Sequence, residues 1–397
     1  MFEAAPEGQA GVWMTTARME TLRTAKTITG LDQGIPALTV EAWVVAQWGQ
    51  AAWDAMGRIP RGMWHDYLAW FQATVDVAPR YAHRLIDVAS AAGGVALTFT
   101  TPGGIRRVTA RHVVLATGID GLGGPFTPAV IRANLAPEAH AHTADLIDFD
   151  ALRGRRVAVI GAASSAFDAA ATALERGAAE VHLLSRSATI ATQPPQALAR
   201  NPLLYRPFRD LPNGERWQII TRGRARGHAP EATIARARRH GNFHLHQGAA
   251  LRAVRHSATG IELETETLRL ETDFVISGTG YRTDLALRPE LARLAGEVRL
   301  WRDEPCAAAD PEASAEWGDY PWLDRDLAFV PRAGADWVRR IHVFNYGAVL
   351  SHGYHVGDIG SHDTCVRRLT EAIQDRLFRA AAARLLAPVL GQDRLSA

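Results

Sequence analysis

Residues 155–187 read RRVAVIGAASSAFDAAATALERGAAEVHLLSRS, and this stretch decides the fold class. The apolar run VAVI (157–160) is typical of a buried strand, and the small residues that follow predict an Ala-rich helix through Glu175. Gly177 ends that helix, and VHLLS (181–185) is a second apolar strand. A strand, a helix and a second strand within ~30 residues form a βαβ unit. The sequence therefore predicts an α/β fold with a parallel sheet.

The turn inside this unit has the spacing of a dinucleotide-binding loop. Gly161 and Ala166 occupy the first and third positions of the pattern G-x-G-x-x-G/A, and Ala163 replaces the middle glycine. A pyrophosphate is expected at the helix start, where free N–H groups favour anions, and Ser164 and Ser165 add hydroxyl donors. The alternative is a plain strand–turn–helix without a ligand. The flanking strands favour dinucleotide binding.

The end of the second strand indicates which nicotinamide cofactor binds. Ser185-Arg186-Ser187 stands where NAD-binding proteins carry a carboxylate for the ribose 2′-hydroxyl. A guanidinium group matches the oxygens of a 2′-phosphate, so Arg186 predicts NADP rather than NAD. The alternative is a surface arginine at the end of a strand.

Two further apolar runs end in a Thr-Gly turn. They are RHVVLATGID (111–120), with Thr117-Gly118, and TDFVISGTGYRTD (272–284), with Thr279-Gly280. Each run follows a helical stretch and a Gly-containing hairpin, so the chain consists of two related halves. Taken singly, each turn is only a sharp strand exit. One on each side of a dinucleotide unit indicates a close approach to a cofactor.

Composition excludes several classes of protein. The 397 residues are 47% hydrophobic and 22% charged, and a formal charge of +2 does not favour nucleic acid or an anionic membrane as a partner. Two cysteines form no disulfide framework, and we expect no membrane span and no signal peptide. These features predict a cytoplasmic α/β enzyme.

Many of the 11 tryptophans precede residue 71, which indicates a packed aromatic layer or a flat ligand, with packing favoured.

The remaining segments give weaker signals. Residues 188–230 are rich in proline and predict a long irregular connection or a lid, whereas residues 295–340 show no clear pattern. The last ~30 residues predict one or two amphipathic helices.

His244 and His246 alternate along a predicted strand and share a face, but a third ligand and an HExxH motif are lacking. We therefore expect no metal site.

Together these motifs resemble the flavin-containing monooxygenase group, which belongs to the class B flavoprotein monooxygenases. The resemblance covers most of the chain. It rests on these stretches: GVW near the N-terminus, METLRTAKTITG (19–30), VVLATG (113–118), PFTP (125–128), HAHTADL (140–146), VAVIGAASSA (157–166) and ISGTGYRTD (276–284).

The resemblance implies two dinucleotide-binding, Rossmann-like domains. An NADP-binding domain, residues 151–285, is inserted into an FAD-type domain formed by residues 1–150 and 286–397. The family's first βαβ unit, which holds the ADP half of FAD, has no counterpart here, and Gly11 and Trp13 match the step that follows it. We expect a truncated sequence or a misassigned start codon. The alternatives are binding of FAD by its flavin end alone and a protein that does not use flavin.

The resemblance also implies roles for individual residues. His142 and Thr143 are the candidates for the nicotinamide–flavin junction, although a histidine in an ordinary turn fits equally well. Tyr281 follows the second Thr-Gly turn and belongs to the same motif. Gly357 and Asp358 either face the flavin ribityl or lead into the helix after Ser361. A further set lies near the flavin and substrate or pairs at the surface: Arg18, Arg23 and Lys26.

The implied function is that of an FAD- and NADPH-dependent monooxygenase. Such an enzyme inserts one oxygen atom from O2 into a small molecule, at nitrogen or sulfur or by a Baeyer–Villiger reaction. One alternative is an NADPH-dependent flavin oxidoreductase without oxygen insertion, and another is a flavin-free NADP(H)-binding protein. Substrate identity and oligomeric state stay open.

Overall fold

The computed structural model of the chain describes residues 1–28, 30–192, 207–223, 227–353 and 359–390. Its first half contains these helices and strands in chain order: α1 (Val40–Trp48), α2 (Gln50–Ala55), α3 (Arg61–Thr74), β1 (Arg84–Ala91), β2 (Gly94–Thr101), β3 (Gly104–Ala110), β4 (Val113–Leu115), β5 (Gly123–Pro125), α4 (Ala129–Arg132), β6 (His140–His142), β7 (Arg156–Ile160), α5 (Ser164–Glu175) and β8 (Glu180–Leu184).

The second half continues with these elements: α6 (Asn213–Gly223), α7 (Glu231–Arg238), β9 (Phe243–His246), β10 (Ala253–Ser257), β11 (Gly260–Glu264), β12 (Arg269–Thr272), β13 (Phe274–Ser277), β14 (Tyr281–Thr283), α8 (Ala292–Ala295), α9 (Pro305–Ala308), α10 (Pro311–Trp317), β15 (Ile341–Val343), α11 (Val349–His352) and α12 (His362–Leu390). Short 3-10 helices lie between them: Pro36–Leu38, Pro137–Ala139, Asp150–Leu152, Phe208–Asp210, Leu285–Leu287, Pro289–Leu291, Trp301–Asp303, Asp336–Arg340, Tyr346–Ala348 and Ile359–Ser361.

A five-stranded parallel sheet forms the centre of the molecule, in the order β6-β13-β7-β8-β9. Val157 and Val159 of β7 face a core that contains α5 and α7. Ala158 and Ile160 face the opposite side, where they pack with the antiparallel sheet β10-β11-β12. Both faces are covered, which is why VAVI reads as a continuous apolar run. The predicted βαβ unit is confirmed, and its helix ends at Glu175 as expected.

A second core lies around the antiparallel sheet β1-β2-β3 and the parallel pair β4-β15. Within the described residues, β4 pairs with β15 alone. The antiparallel pair β5-β14 connects this part to the five-stranded sheet. Strand β6 lies before residue 151, the predicted start of the NADP-binding domain, yet it pairs with β13 in that sheet.

The N-terminal tryptophans pack against one another around α1 and α3. Trp43 and Trp64 both contact Tyr67, with ring centroids 5.8 and 5.2 Å apart, and Trp13 meets Trp64 edge to face at 6.2 Å. These rings share one buried cluster with Trp53. These tryptophans therefore form a packed aromatic layer, the first of the two alternatives that the sequence indicated.

The prediction of an irregular connection at residues 188–230 is wrong for residues 213–223, which form α6. Trp217 and Ile220 of α6 are buried against Trp301 and Leu350. Pro212 immediately precedes the helix, where a proline is tolerated, but the other prolines upstream obscured the helical pattern.

The C-terminal stretch is a single helix, α12. Among the described helices, none combines the length and the apolar character that crossing a membrane requires.

Candidate functional site

The Gly161 turn (residues 161–166) lies at the carboxyl end of β7, where ligands bind in open parallel sheets. Gly161 has a φ of +116°, and a Cβ there would overlap the carbonyl oxygen of Gly278. The amide of Gly278 donates to the carbonyl oxygen of Ile160 at 2.7 Å. Ala166 packs against Gly278, where an added Cβ would lie 2.6 Å from the Ala166 methyl carbon. The first and third positions of the pattern therefore serve close contact between two turns.

The start of α5 is partly covered by the segment 227–229. Both the amide and the hydroxyl of Ser164 donate to the carbonyl oxygen of His228, at 3.2 and 3.0 Å. Ala163 is the residue before the helix, and a Cβ on Gly227 would lie 2.7 Å from its methyl carbon. Ser165 is exposed. The replacement of the middle glycine by Ala163 is thus accommodated by a glycine in the covering segment.

Arg186 follows β8, the neighbour of β7, so it lies at the same edge of the sheet as the Gly161 turn. The amide of Gly161 donates to Leu184 at the end of β8, at 2.9 Å. Ser185 is buried, and its hydroxyl accepts from the amide of Ser187 at 3.2 Å and donates to that residue's carbonyl at 3.0 Å. This closed turn leaves the Arg186 side chain exposed.

His142 and Thr143 are buried at the end of β6, beside the end of β13. The amide of Thr143 donates to Ser277 at 2.9 Å, and the amide of Ala144 donates to His142 Nδ1 at 3.0 Å. An amide can only donate, so the neutral ring carries its proton on Nε2. Burial lowers the pKa of His142, although the neighbouring carboxylate of Asp145 raises it. The ring is therefore an uncharged hydrogen-bond donor near neutral pH.

The second Thr-Gly turn lies next to His142. The ring of Tyr281 meets the His142 ring edge to face, with centroids 5.6 Å apart, and burial raises the pKa of Tyr281. Thr279 donates through its hydroxyl to the carbonyl of Phe126, and the amide of Phe126 donates to Gly280 at 2.9 Å. Since Phe126 follows β5, these bonds connect the two halves of the molecule at the site.

The first Thr-Gly turn follows β4, and Gly118 has a φ of +82°. The buried side chain of Asn345 donates to the carbonyl of Leu115 at 2.9 Å and to the Thr117 hydroxyl at 3.1 Å. A Cβ on Gly121 would lie 2.9 Å from Asn345 Nδ2. The pair β5-β14 links this turn to the Tyr281 region. Gly357 and Asp358 lie outside the described residues.

Three basic residues of the N-terminal segment differ in their surroundings. Arg18 donates to the carbonyls of Thr143 and Asp145, so it holds the turn that contains His142. Arg23 pairs with a carboxylate on α5, and Lys26 lies 4.6 Å from the Trp53 ring centroid. Only Arg18 reaches the His142 turn. Trp13 lies in the aromatic cluster against Trp64, and its predicted role in cofactor binding stays a prediction.

Sequence reasoning missed Asp168, the carboxylate that binds Arg23. Asp168 is buried in α5, and Arg236 of α7 approaches it at 3.7 Å from the other side. A charged residue on the buried face of an Ala-rich helix was the available signal, because buried carboxylates are paired. The N-terminal segment, α5 and α7 thus meet at one carboxylate behind the Gly161 turn.

Known proteins show which family has this architecture. The model of the L-lysine 6-monooxygenase/L-ornithine 5-monooxygenase family matches residues 54–283. An FAD-dependent urate hydroxylase of Xanthomonas campestris pv. campestris is 35% identical over 396 residues, which cover 98% of this chain and 82% of that protein.

Solved structures share the fold. An ornithine N-hydroxylase of Kutzneria sp. 744 superposes with a TM-score of 0.72 at 16% identity, covering 95% of this chain and 92% of that one. The L-lysine 6-monooxygenase of Pseudomonas syringae gives 0.70 at 22% identity, covering 96% and 91%. The predicted α/β fold with Rossmann-like domains is confirmed.

The predicted class of enzyme, a flavoprotein monooxygenase that uses FAD and NADP, is confirmed at the level of the family. Where each cofactor contacts the residues predicted for it stays a prediction. The chain belongs to the L-lysine 6-monooxygenase/L-ornithine 5-monooxygenase family.

Proposed function

We propose that this chain hydroxylates a small, planar nitrogen heterocycle of the urate class, with FAD and NADPH as cofactors. The observation that carries this proposal is the 35% identity to a urate hydroxylase over 98% of the chain. Ornithine and lysine hydroxylases that share the fold are 16% and 22% identical. The sequence signals for a cytoplasmic location and against a nucleic-acid partner remain predictions.

The Gly161 turn and its surroundings fit NADP. The glycine allows close approach of the backbone, and Arg186 lies at the same edge of the sheet for the 2′-phosphate. At the start of α5 the amide and hydroxyl of Ser164 already donate to His228, whereas Ser165 is exposed toward a bound phosphate. The close contacts of Gly121 with Thr117 and Asn345 form a compact turn suited to a flat cofactor. When bound, FAD activates O2 and NADPH supplies the electrons.

We propose that the residues around His142 line the junction between the Gly161 turn and the first Thr-Gly turn. Its uncharged ring is fixed by the amide of Ala144 and by Tyr281, and Arg18 holds the adjacent backbone. We propose that the buried His142 ring holds the backbone of the second Thr-Gly turn at Gly280 in the position that the cofactor or substrate meets. Burial of His142 and Thr143 keeps water away from that position.

A substrate screen tests the proposal. The purified full chain is reconstituted with FAD, and NADPH oxidation, O2 consumption and product mass are measured with urate, ornithine and lysine. We expect urate to gain one oxygen atom and to accelerate NADPH oxidation, with little effect of either amino acid. Hydroxylated ornithine or lysine would instead support the second candidate, amine N-hydroxylation, which the family match at residues 54–283 favours.

The visible spectrum separates the remaining alternatives. A flavin spectrum that NADPH bleaches and air restores, without product from any substrate, would indicate an oxidoreductase without oxygen insertion. NADPH binding without flavin binding would contradict the proposed function.

A further inference from the structure

Three side chains of the types that can bind metals lie together on one face of the five-stranded sheet. His182 of β8 lies opposite His244 of β9, and Glu180 precedes His182 by two residues, so all three share a face. The intervening residues Val181 and Leu183 are buried in the core on the other face, which fixes this orientation. The cluster lies at the start of β8, whereas the proposed NADP site lies beyond its end.

The distances between the ligand atoms approach those of a bound ion. His182 Nε2 lies 3.5 Å and His244 Nε2 lies 3.9 Å from Glu180 Oε2. The three ligand atoms are all within 4.8 Å of one another. A tetrahedral Zn²⁺ ion with bonds of about 2.0–2.1 Å separates its ligand atoms by about 3.4 Å. Small side-chain rotations of Glu180 and His244, which are 36% and 43% exposed, close the difference.

A fourth residue, His246, orients the central ligand. His182 Nδ1 and His246 Nε2 are 2.9 Å apart, and the rings stack with centroids 5.2 Å apart. When His182 donates through Nδ1–H, its Nε2 lone pair points toward Glu180 and is free to bind. Metal-binding histidines usually donate their second nitrogen in this way.

We propose that Glu180, His182 and His244 bind a divalent ion of the Zn²⁺ class between β8 and the edge strand β9. Two imidazole nitrogens and one carboxylate oxygen suit Zn²⁺, and they leave a fourth position for water. Sequence reasoning found His244 without a third ligand, because the partners come from a different strand. The site is independent of the proposed hydroxylation.

Metal titration tests this proposal. The untagged full chain is freed of metal with EDTA, and ZnCl2 binding is measured by calorimetry, with Co²⁺ absorption as a report on tetrahedral geometry. We expect one Zn²⁺ per chain. Glu180→Gln and His244→Ala should each weaken binding by more than about tenfold, and His246→Ala by about tenfold, since it removes an orienting partner.

His256→Ala is the matched control, because His256 is an exposed histidine on β10 outside the cluster. It should bind Zn²⁺ as the wild type does. Circular dichroism of the metal-free variants checks that they fold, which the exposure of Glu180 and His244 favours. Absence of stoichiometric binding in the wild type, or unchanged affinity in either Glu180→Gln or His244→Ala, would overturn the three-ligand site.

Discussion

Gly278 is a residue of the site that leaves no room for a larger side chain. An added Cβ would lie 2.6 Å from Ala166 Cβ and 2.9 Å from Ala166 Cα, distances that require the backbone of α5 or β13 to move. We expect Gly278→Ala to lower the free energy of unfolding by about 1–3 kcal/mol, the usual cost of overpacking a rigid contact. Chemical denaturation monitored by tryptophan fluorescence measures this loss.

Gly214→Ala provides the control for that substitution. Gly214 lies in α6 with no neighbouring atom within 4 Å of an added Cβ. Alanine is the better helix former, so this change should be neutral or slightly stabilising. If Gly278→Ala is as stable as the wild type, the close packing of the two turns is not what restricts this position.

Arg186 is the residue that should distinguish the two nicotinamide cofactors. Its exposed side chain follows β8 at the edge that carries the Gly161 turn. We expect Arg186→Ala to raise KM for NADPH by about tenfold, the loss of roughly one charge-assisted hydrogen bond, and to leave KM for NADH nearly unchanged. Steady-state kinetics with both cofactors measure the difference.

Arg238→Ala removes an equally charged, exposed residue from α7 and should leave both KM values unchanged. Equal losses for NADPH and NADH in Arg186→Ala would show that Arg186 does not contact the 2′-phosphate.

At the scale of helices and strands, local pattern predicted the elements whose signals lie within their own sequence. The strand VAVI, the helix ending at Glu175 and the hairpins before both Thr-Gly turns are present as predicted. The three residues of β6 have no strand pattern of their own, and only pairing with β13 makes them a strand. Likewise α6 is stabilised by burying Trp217 against Trp301, a contact distant in sequence.

The carboxylate of Asp168 holds three elements together. It pairs with Arg23 of the N-terminal segment and lies 3.7 Å from Arg236 of α7. Asp168→Asn leaves the Arg23 guanidinium without its counter-charge, whereas Arg236 keeps its ion pair with Glu175 at 2.5 Å. We expect a loss of about 1–3 kcal/mol in the free energy of unfolding, less than for a fully buried pair because Arg23 is 29% exposed. Chemical denaturation measures it.

Asp150→Asn is the control for this element-scale prediction. Asp150 also has two arginine partners, Arg153 at 3.7 Å and Arg176 at 3.3 Å, but its side chain is 60% exposed. Its loss should cost less than about 1 kcal/mol. Similar losses in the two variants would contradict a special role for the buried carboxylate.

At the scale of the whole molecule, a histidine pair joins distant parts of the chain. His112 Nδ1 and His342 Nε2 are 3.1 Å apart at the pair β4-β15, and His342 Nδ1 donates to the carbonyl of Asp326 at 2.8 Å. Arg376 of α12 binds the carboxylates of Asp324 and Asp326. Residues 112, 324–326, 342 and 376 are distant in sequence, and these contacts bring them together around the rings of His112 and His342.

Because the rings are shielded, stability should depend on pH. Burial and His342 lower the pKa of His112 to about 4, and burial also lowers the pKa of His342. The unfolded chain, whose histidines have an ordinary pKa near 6.5, then binds protons that the folded chain does not. The stabilisation is complete above pH 6.5 and declines as the pH falls toward 4.

We expect the free energy of unfolding to fall by about 1 kcal/mol or more between pH 7.5 and 5.5, with allowance for the partial exposure of His112. Denaturant titrations at pH 7.5, 6.5 and 5.5 measure the slope of the free energy of unfolding against pH, and ordinary carboxyl groups stay ionised throughout this range.

His112→Gln keeps a hydrogen-bonding partner for His342 without a titrating ring, so its slope should be shallower. His256→Gln, at an exposed position, should keep the wild-type slope. Equal slopes in His112→Gln and the wild type would assign the pH dependence to other groups.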